Sequence, residues 1–243
     1  MNIEIKNISK EIVPATGAAI SLLKNISLTI RQGEITSIIS PTGDKSSTLL
    51  KIFAQLESTS TGEIVNPSGK RIIYLPSEPS SFPWLNVLDN VVFGLDHYSK
   101  ERILQFISSS GLEGYEKHIP HNNSLGFRFR ISLARSLAHD PAAIVLDNPF
   151  VMMDISTREE LYSLIKELQQ KFDLTFVLGT SNISESLLLS DKIYLLSNDP
   201  GELTFLYENI AGEIHRRKSE IKNHLKIILD KIKPNSLSAL SIC

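Results

Sequence analysis

The residues best suited to chemistry lie between Gly33 and Leu50, in the stretch GEITSIISPTGDKSSTLL. A phosphate-binding loop reads G-x-x-x-x-G-K-[ST] between a strand and a helix. Its backbone N–H groups cradle phosphates, its Lys reaches the β/γ oxygens and its hydroxyl ligates Mg²⁺. With Glu34 to Ile39 as the strand and Ser47 to Leu56 as the helix, Ser40 falls at the first Gly, Lys45 at the second and Ser46 at the Lys. Gly43 inside the loop and Ser47 at the Mg²⁺ position are kept, with Thr48 behind them. Sliding the frame to make Lys45 the Lys would put Ile39 and Asp44 at the glycine positions, a worse fit. The loop has the frame of a phosphate site without its central charge, so it is either dead or altered.

Such a loop needs a parallel sheet behind it. Residues 3 to 9 and 22 to 30 are β-rich runs split by a Pro/Gly/Ala loop, an antiparallel ribbon leading into the loop's strand. Residues 71 to 75 and 143 to 147 read as buried strands, the second ending in Asp147, and strands are expected at 174 to 179 and 192 to 196. Helical spacing covers 87 to 95 and 100 to 112, and a short helix fits 182 to 190. Ser156-x-x-Glu159 has the form of a capping box, with Leu161, Leu164, Ile165, Leu168 and Phe172 on one face behind it. Alternating strands and helices predict an α/β protein with crossover connections. From Ala211 the chain becomes a basic tail with Ile221, Leu225, Ile228 and Ile232 at helical spacing. It is expected to be an appended helix on its own domain, the alternatives being a partner-binding or membrane-surface helix.

A chain of 243 residues with 42% apolar content can bury one substantial core, or a core plus a small subdomain. No apolar run approaches the roughly 18 residues needed to span a bilayer, and no signal-peptide pattern opens the sequence. A formal charge of −2 gives no electrostatic case for nucleic acid. The sole cysteine, Cys243, excludes disulfides and cysteine metal sites within the chain, which suits a reducing cytosol.

Several further motifs stand in a fixed order: FPWLNVLDNVVFGL from Phe82 to Leu95, Arg130 to Leu137, Ile144 to Asp147, and Pro149-Phe150 through Asp154. With these, residues 3 to about 208 resemble the nucleotide-binding subunit of an ABC transporter, most like the nitrate/sulfonate/taurine importer group. The resemblance implies a P-loop NTPase fold with a RecA-like α/β core, an antiparallel β edge and a helical signature subdomain over about 84 to 138. The cassette would span 1–210, with 211–243 as a C-terminal tail. It also implies ATP and Mg as ligands, with Gly43, Lys45, Ser46, Ser47, Thr48 and Asp147 around the nucleotide and Ser47 and Asp147 on the metal. Phe82, Pro83, Trp84 and Leu85 would dock on a transmembrane permease subunit, and a substrate-binding protein is a further possible partner. The location implied is cytoplasmic, peripheral on the membrane.

At the family's chemical positions this sequence departs. The adenine-stacking aromatic corresponds to Ile12, the Q-loop Gln to Ser77, the catalytic Glu to Asn148 and the switch His to Ser181. The signature LSGGQ corresponds to Asn123-Ser124-Leu125-Gly126-Phe127, which keeps Ser124 and Gly126. One such change is drift. Several together, in a chain whose helix faces keep their Leu and Ile, imply loss of ATPase chemistry with retention of fold and docking. Family subunits work head to tail, each ATP lying between one P-loop and the other's signature, so an intact ATPase paralogue is the expected partner. The alternatives are an ATPase with unusual chemistry, a regulatory adaptor and a homodimeric scaffold with two dead sites.

Overall fold

The computed structural model describes residues 1–14, 17–41, 43–120, 124–198 and 200–208, apart from the side chains of Gly43 and Asp44. The basic tail from Ala211 and Asn123 of the signature lie outside the described residues. Strands β1 (Ile3–Ile12), β2 (Ile20–Ile30), β3 (Ile35–Ile39), β4 (Thr61–Val65), β5 (Ile72–Leu75), β6 (Ala143–Asp147), β7 (Phe176–Thr180), β8 (Lys192–Leu196) and β9 (Leu203–Glu208) form two sheets. The larger has the order β5-β6-β7-β3-β8-β9, parallel except for the antiparallel edge strand β9. The smaller is antiparallel, in the order β2-β1-β4.

Helix α1 (Gly43–Phe53) lies between the two sheets. Leu49, Leu50, Ile52 and Phe53 share a core with Ile3, Ile5, Ile8 and Leu28 on one side and with Ile38, Val145 and Val177 on the other. On the opposite face of the large sheet, Ile144, Leu146, Phe176 and Leu178 pack against α2 (Val87–Val92), α3 (Lys100–Ser109), α4 (Leu125–Ala138) and α5 (Ile155–Phe172). Alternate residues of β6 and β7 thus feed two cores, which is why Ala143 to Leu146 and Phe176 to Leu178 are apolar without a break. The short helix α6 (Ile183–Leu189) closes a third, smaller core with Ile193 and Leu206.

The expected α/β alternation is present, with differences at the edges. Helix α1 begins at Gly43 rather than Ser47, and α2 stops at Val92, before Gly94 at φ +82°. Helix α3 stops at Ser109, ahead of Gly111 at φ +72°. Left-handed glycines end helices whose apolar periodicity runs on. The cap of α5 is Asp154, not Ser156. Its Oδ1 accepts from Thr157 N at 2.9 Å and its Oδ2 from Thr157 Oγ1 at 2.7 Å, and these bonds hold the Asp154 carboxyl below the usual carboxylate range. Strands β4 and β9 have no counterpart in the sequence reading: only Ile64 and Val65 of β4 are apolar, and Leu203, Phe205, Leu206 and Tyr207 of β9 break the alternation of a half-buried strand.

Candidate functional site

Four parallel strands end on the same side of the large sheet, where α/β folds hold their ligands. Ser40 follows β3, Asn148 follows β6, Ser181 follows β7, and Ser77 comes two residues after β5. The backbone ties these ends together: Ser40 N donates to Thr180 O at 3.2 Å, and Asn148 N donates to Gly179 O at 2.9 Å. Helix α1 meets the same corner. A Cβ on Gly179 would lie 2.5 Å from Leu50 Cδ1 and 3.6 Å from Asp147 Oδ1, so this strand position must be bare for α1 to approach. Four of the altered positions therefore surround the loop at the head of α1.

Within the loop, Ser46 is buried while Lys45, Ser47 and Thr48 are half-buried. Asp147 is buried, and its carboxylate is engaged from within the chain. Tyr74 donates its hydroxyl to Oδ2 at 2.5 Å, and Asn148 Nδ2 donates to Oδ1 at 3.2 Å. Burial, reinforced by the carboxylate it faces, pushes the Tyr74 phenol up. Asn148 has φ +46°, a left-handed conformation that Asn tolerates better than most residues. Neither Tyr74 nor its role was legible in the sequence, because it reaches Asp147 from a neighbouring strand.

A cavity of about 130 Å³ brings Asn148 and Ser181 together with Arg158, Thr180 and Glu185. Sequence reasoning passed over Glu185. Its buried carboxylate accepts from Tyr162 Oη at 2.8 Å and from Thr180 Oγ1, and burial pushes its carboxyl up. Ile12, at the end of β1, is exposed.

The signature residues stand apart from this group, on α4. Ser124 is the N-cap, its Oγ accepting from Phe127 N at 3.3 Å. Gly126 is buried where a Cβ would lie 2.6 Å from Thr157 Cγ2, so the α4–α5 packing itself demands a glycine. Phe127 is turned into an aromatic cluster, its ring centroid 5.3 Å from Tyr115 and 5.6 Å from His118.

The segment before α2 presents an aromatic surface. Trp84 is 70% exposed and Phe93 is 52% exposed, with the half-buried Phe82 ring between them at 5.5 Å and 4.5 Å. Pro83 is exposed and Leu85 half-buried. The buried Asn90 holds the segment's shape. Its Oδ1 accepts from Phe82 N at 2.7 Å, while Nδ2 donates to the carbonyls of Phe82, Leu85 and Asn86. Both ends of that amide are engaged, so the exposed Trp84 sits on a fixed base. No described helix is long and apolar enough to cross a membrane.

Comparison with known proteins agrees with this geometry. The family model described as "ABC transporter" matches residues 23–151. The aliphatic sulfonates import ATP-binding protein SsuB 1 of Shouchella clausii (strain KSM-K16) is 34% identical over 213 residues, covering 87% of this chain and 85% of that protein. The aliphatic sulfonates import ATP-binding protein SsuB of Bacillus thuringiensis subsp. konkukian (strain 97-27) is 31% identical over 253 residues, covering all of both. Among solved structures, the dimeric MJ0796, a bacterial ABC transporter cassette, superposes with a TM-score of 0.70 at 26% identity, covering 85% of this chain and 100% of that one. The architecture is the RecA-like α/β P-loop NTPase fold, with an antiparallel sheet and a helical subdomain. Matched along its length in sequence and in fold, the chain belongs to the ABC transporter family, as an ATP-binding-cassette domain.

Proposed function

We propose that this chain is a catalytically impaired cassette of an ABC importer, docked on a transmembrane permease subunit and paired with an intact ATPase paralogue. The observation that carries it is the state of Asp147. The carboxylate that should face Mg²⁺ already accepts from Tyr74 at one oxygen and from Asn148 at the other, so a metal would meet a carboxylate whose charge is partly engaged from within the chain. Ser46 supplies none of the charge-assisted bonds of a Lys, and Ser47 alone is a poor metal site. With these residues the chain would hold Mg-ATP weakly or not at all. Import of a small solute is supported by the relatives, which are named for aliphatic sulfonate import. A substrate-binding protein completes such a system, and nothing in the charge pattern favours nucleic acid.

The competing reading, an ATPase with a substitute base, would rest on Glu185, a carboxylate that lines the same cavity as Asn148 and Ser181. Both its oxygens already accept hydrogen bonds from Thr180 and Tyr162, and it is held inward. Those bonds leave a lone pair on each oxygen, but they tie the buried carboxylate to β7 and α5 and not to the loop at the head of α1, where a general base must reach the attacking water. Glu185 therefore reads as structural.

In the reconstituted complex, Ser124→Ala is expected to lower turnover roughly 5- to 100-fold, the cost of a lost phosphate hydrogen bond, while Ser46→Ala leaves it unchanged. Ser124→Thr keeps both hydroxyl and cap and should retain activity, which separates phosphate contact from a loosened α4. The opposite sensitivity would put the live site on this chain's own loop. Indifference to both would leave a scaffold.

Docking is tested separately. Trp84→Asp is expected to release the chain from detergent-solubilised permease with its circular dichroism unchanged, since Trp84 is exposed. Retention on the permease would remove this surface from the interface.

A further inference from the structure

A cavity of about 230 Å³ opens between the edge strand β5 and the last turn of α4. Arg71 and Arg135 line it beside Ser80 and His139, and Ile73 and Leu75 form an apolar wall. Arg135 is half-buried. Its Nη2 donates to Ser80 O at 2.7 Å and to Ser80 Oγ at 2.9 Å, and its guanidinium lies 4.9 Å from the centroid of Phe82. These are neutral partners. Among the described residues no carboxylate reaches Arg135 or Arg71; the nearby Asp140 is paired with Lys70 at 2.8 Å. Desolvation without a counter-charge lowers the Arg135 pKa from its ordinary value. The carbonyl end of α4 offsets only about half a unit charge, against two guanidinium charges. A partly desolvated cation without an anion is costly, and an anion brought to it is correspondingly favoured.

We propose that this pocket binds a small organic oxyanion, a carboxylate or sulfonate carrying a short alkyl chain. The head group lies between the guanidinium groups of Arg71 and Arg135, whose planar forks suit two-oxygen recognition. The alkyl part lies on Ile73 and Leu75, which a bare inorganic anion would leave uncovered. Because Arg135 also holds Ser80, the bound anion sits one side chain from the segment that carries Phe82 and Trp84. The site uses no residue of the phosphate loop, and its test needs neither nucleotide nor partner.

Calorimetric titration of the full chain with sodium butanesulfonate, and separately with butyrate, is expected to give saturable 1:1 binding with a dissociation constant on the order of 1 mM. Butylammonium chloride should give none. Arg71→Gln is expected to weaken butanesulfonate binding about tenfold while leaving the melting temperature of the unliganded chain in place, since Arg71 is exposed. Arg135→Gln should abolish binding, and Ile73→Ser should reduce butanesulfonate binding to that of methanesulfonate. Absence of saturation by the wild-type chain, or binding that Arg71→Gln and Arg135→Gln both leave unchanged, would overturn the proposal. So would equal affinity for sodium chloride, which marks non-specific screening.

Discussion

Isothermal titration of the isolated chain with Mg-ATP is expected to show no saturable heat, and the double substitution Lys45→Gly/Ser46→Lys is expected to create it. A lysine at position 46 adds one or two charge-assisted hydrogen bonds worth about 1.5–3 kcal/mol each, so affinity should rise at least tenfold to a hundredfold. Lys45→Gly restores the bare backbone that a phosphate-cradling turn needs. Turnover needs a separate repair, because nothing at position 148 accepts a proton. Adding Asn148→Glu, measured in the complex, should raise phosphate release by about 10²–10⁴-fold over the double variant, the range a positioned general base contributes. Asn148 sits at φ +46°, where Glu is less comfortable, at a cost of about 1 kcal/mol that is small beside the gain. Tyr74→Phe should add to Mg²⁺-dependent binding only when combined with Ser46→Lys, since it frees Asp147 Oδ2 without supplying any attraction for phosphate. Residues that act as a unit recover as a unit, so each repair alone is expected to fall well short of the sum. Micromolar Mg-ATP binding by the unaltered chain would refute the impaired reading.

How much of this was legible beforehand depends on the range of the interaction. The strands β6 and β7 could be found because burial on both faces writes itself as an apolar run, Ala143 to Leu146 and Phe176 to Leu178, while β3, with Thr36 and Ser37 inside it, is marked by the loop that follows it. The frame of the phosphate loop could be placed because strand, loop and helix are contiguous. Tyr74 is different: its partner Asp147 is 73 residues away, and only the parallel register that sets Tyr74 beside Val145 brings the two together. Glu185 reads as an exposed helix residue by spacing, yet Thr180 and Tyr162 converge on it from β7 and α5. Asn90 looks like one polar residue in a short helix, and its function is to satisfy three carbonyls of a neighbouring loop. The cap of α5 was misplaced by two residues because two local patterns compete there. The structure favours Asp154, a charged acceptor that reaches both the N–H and the hydroxyl of Thr157.

Equally invisible to local patterns is the buried ion pair that anchors the far end of the strand feeding the loop. Glu34 and Lys192 precede and open β3 and β8 and are 8% and 6% exposed, with Lys192 Nζ 2.9 Å from Glu34 Oε2. Thr36 Oγ1 donates to the other carboxylate oxygen at 2.8 Å, and the pair is the inner part of a four-charge network in which Arg31 lies 4.0 Å from Glu34, Glu208 lies 3.8 Å from Lys192, and Arg31 and Glu208 are 3.0 Å apart. Removing one partner leaves the other buried charge with only the longer contact to Arg31 or Glu208, at a cost near the lower end of the about 3–5 kcal/mol typical of breaking a buried pair. Lys192→Met is therefore expected to lower the melting temperature by about 10 °C, at roughly 2–4 °C per kcal/mol for a chain of this size. Replacing both charges removes the orphan as well as the pair, so Lys192→Met/Glu34→Leu should recover more than half of that loss. Denaturant unfolding of the two single variants and the double variant measures the coupling directly, with an expected value of at least about 1.5 kcal/mol. Singles within about 1 kcal/mol of wild type would mean that water reaches the pair and screens it. The pair lies at the opposite end of β3 from the loop, so a chain without phosphate chemistry would have no catalytic reason to keep it.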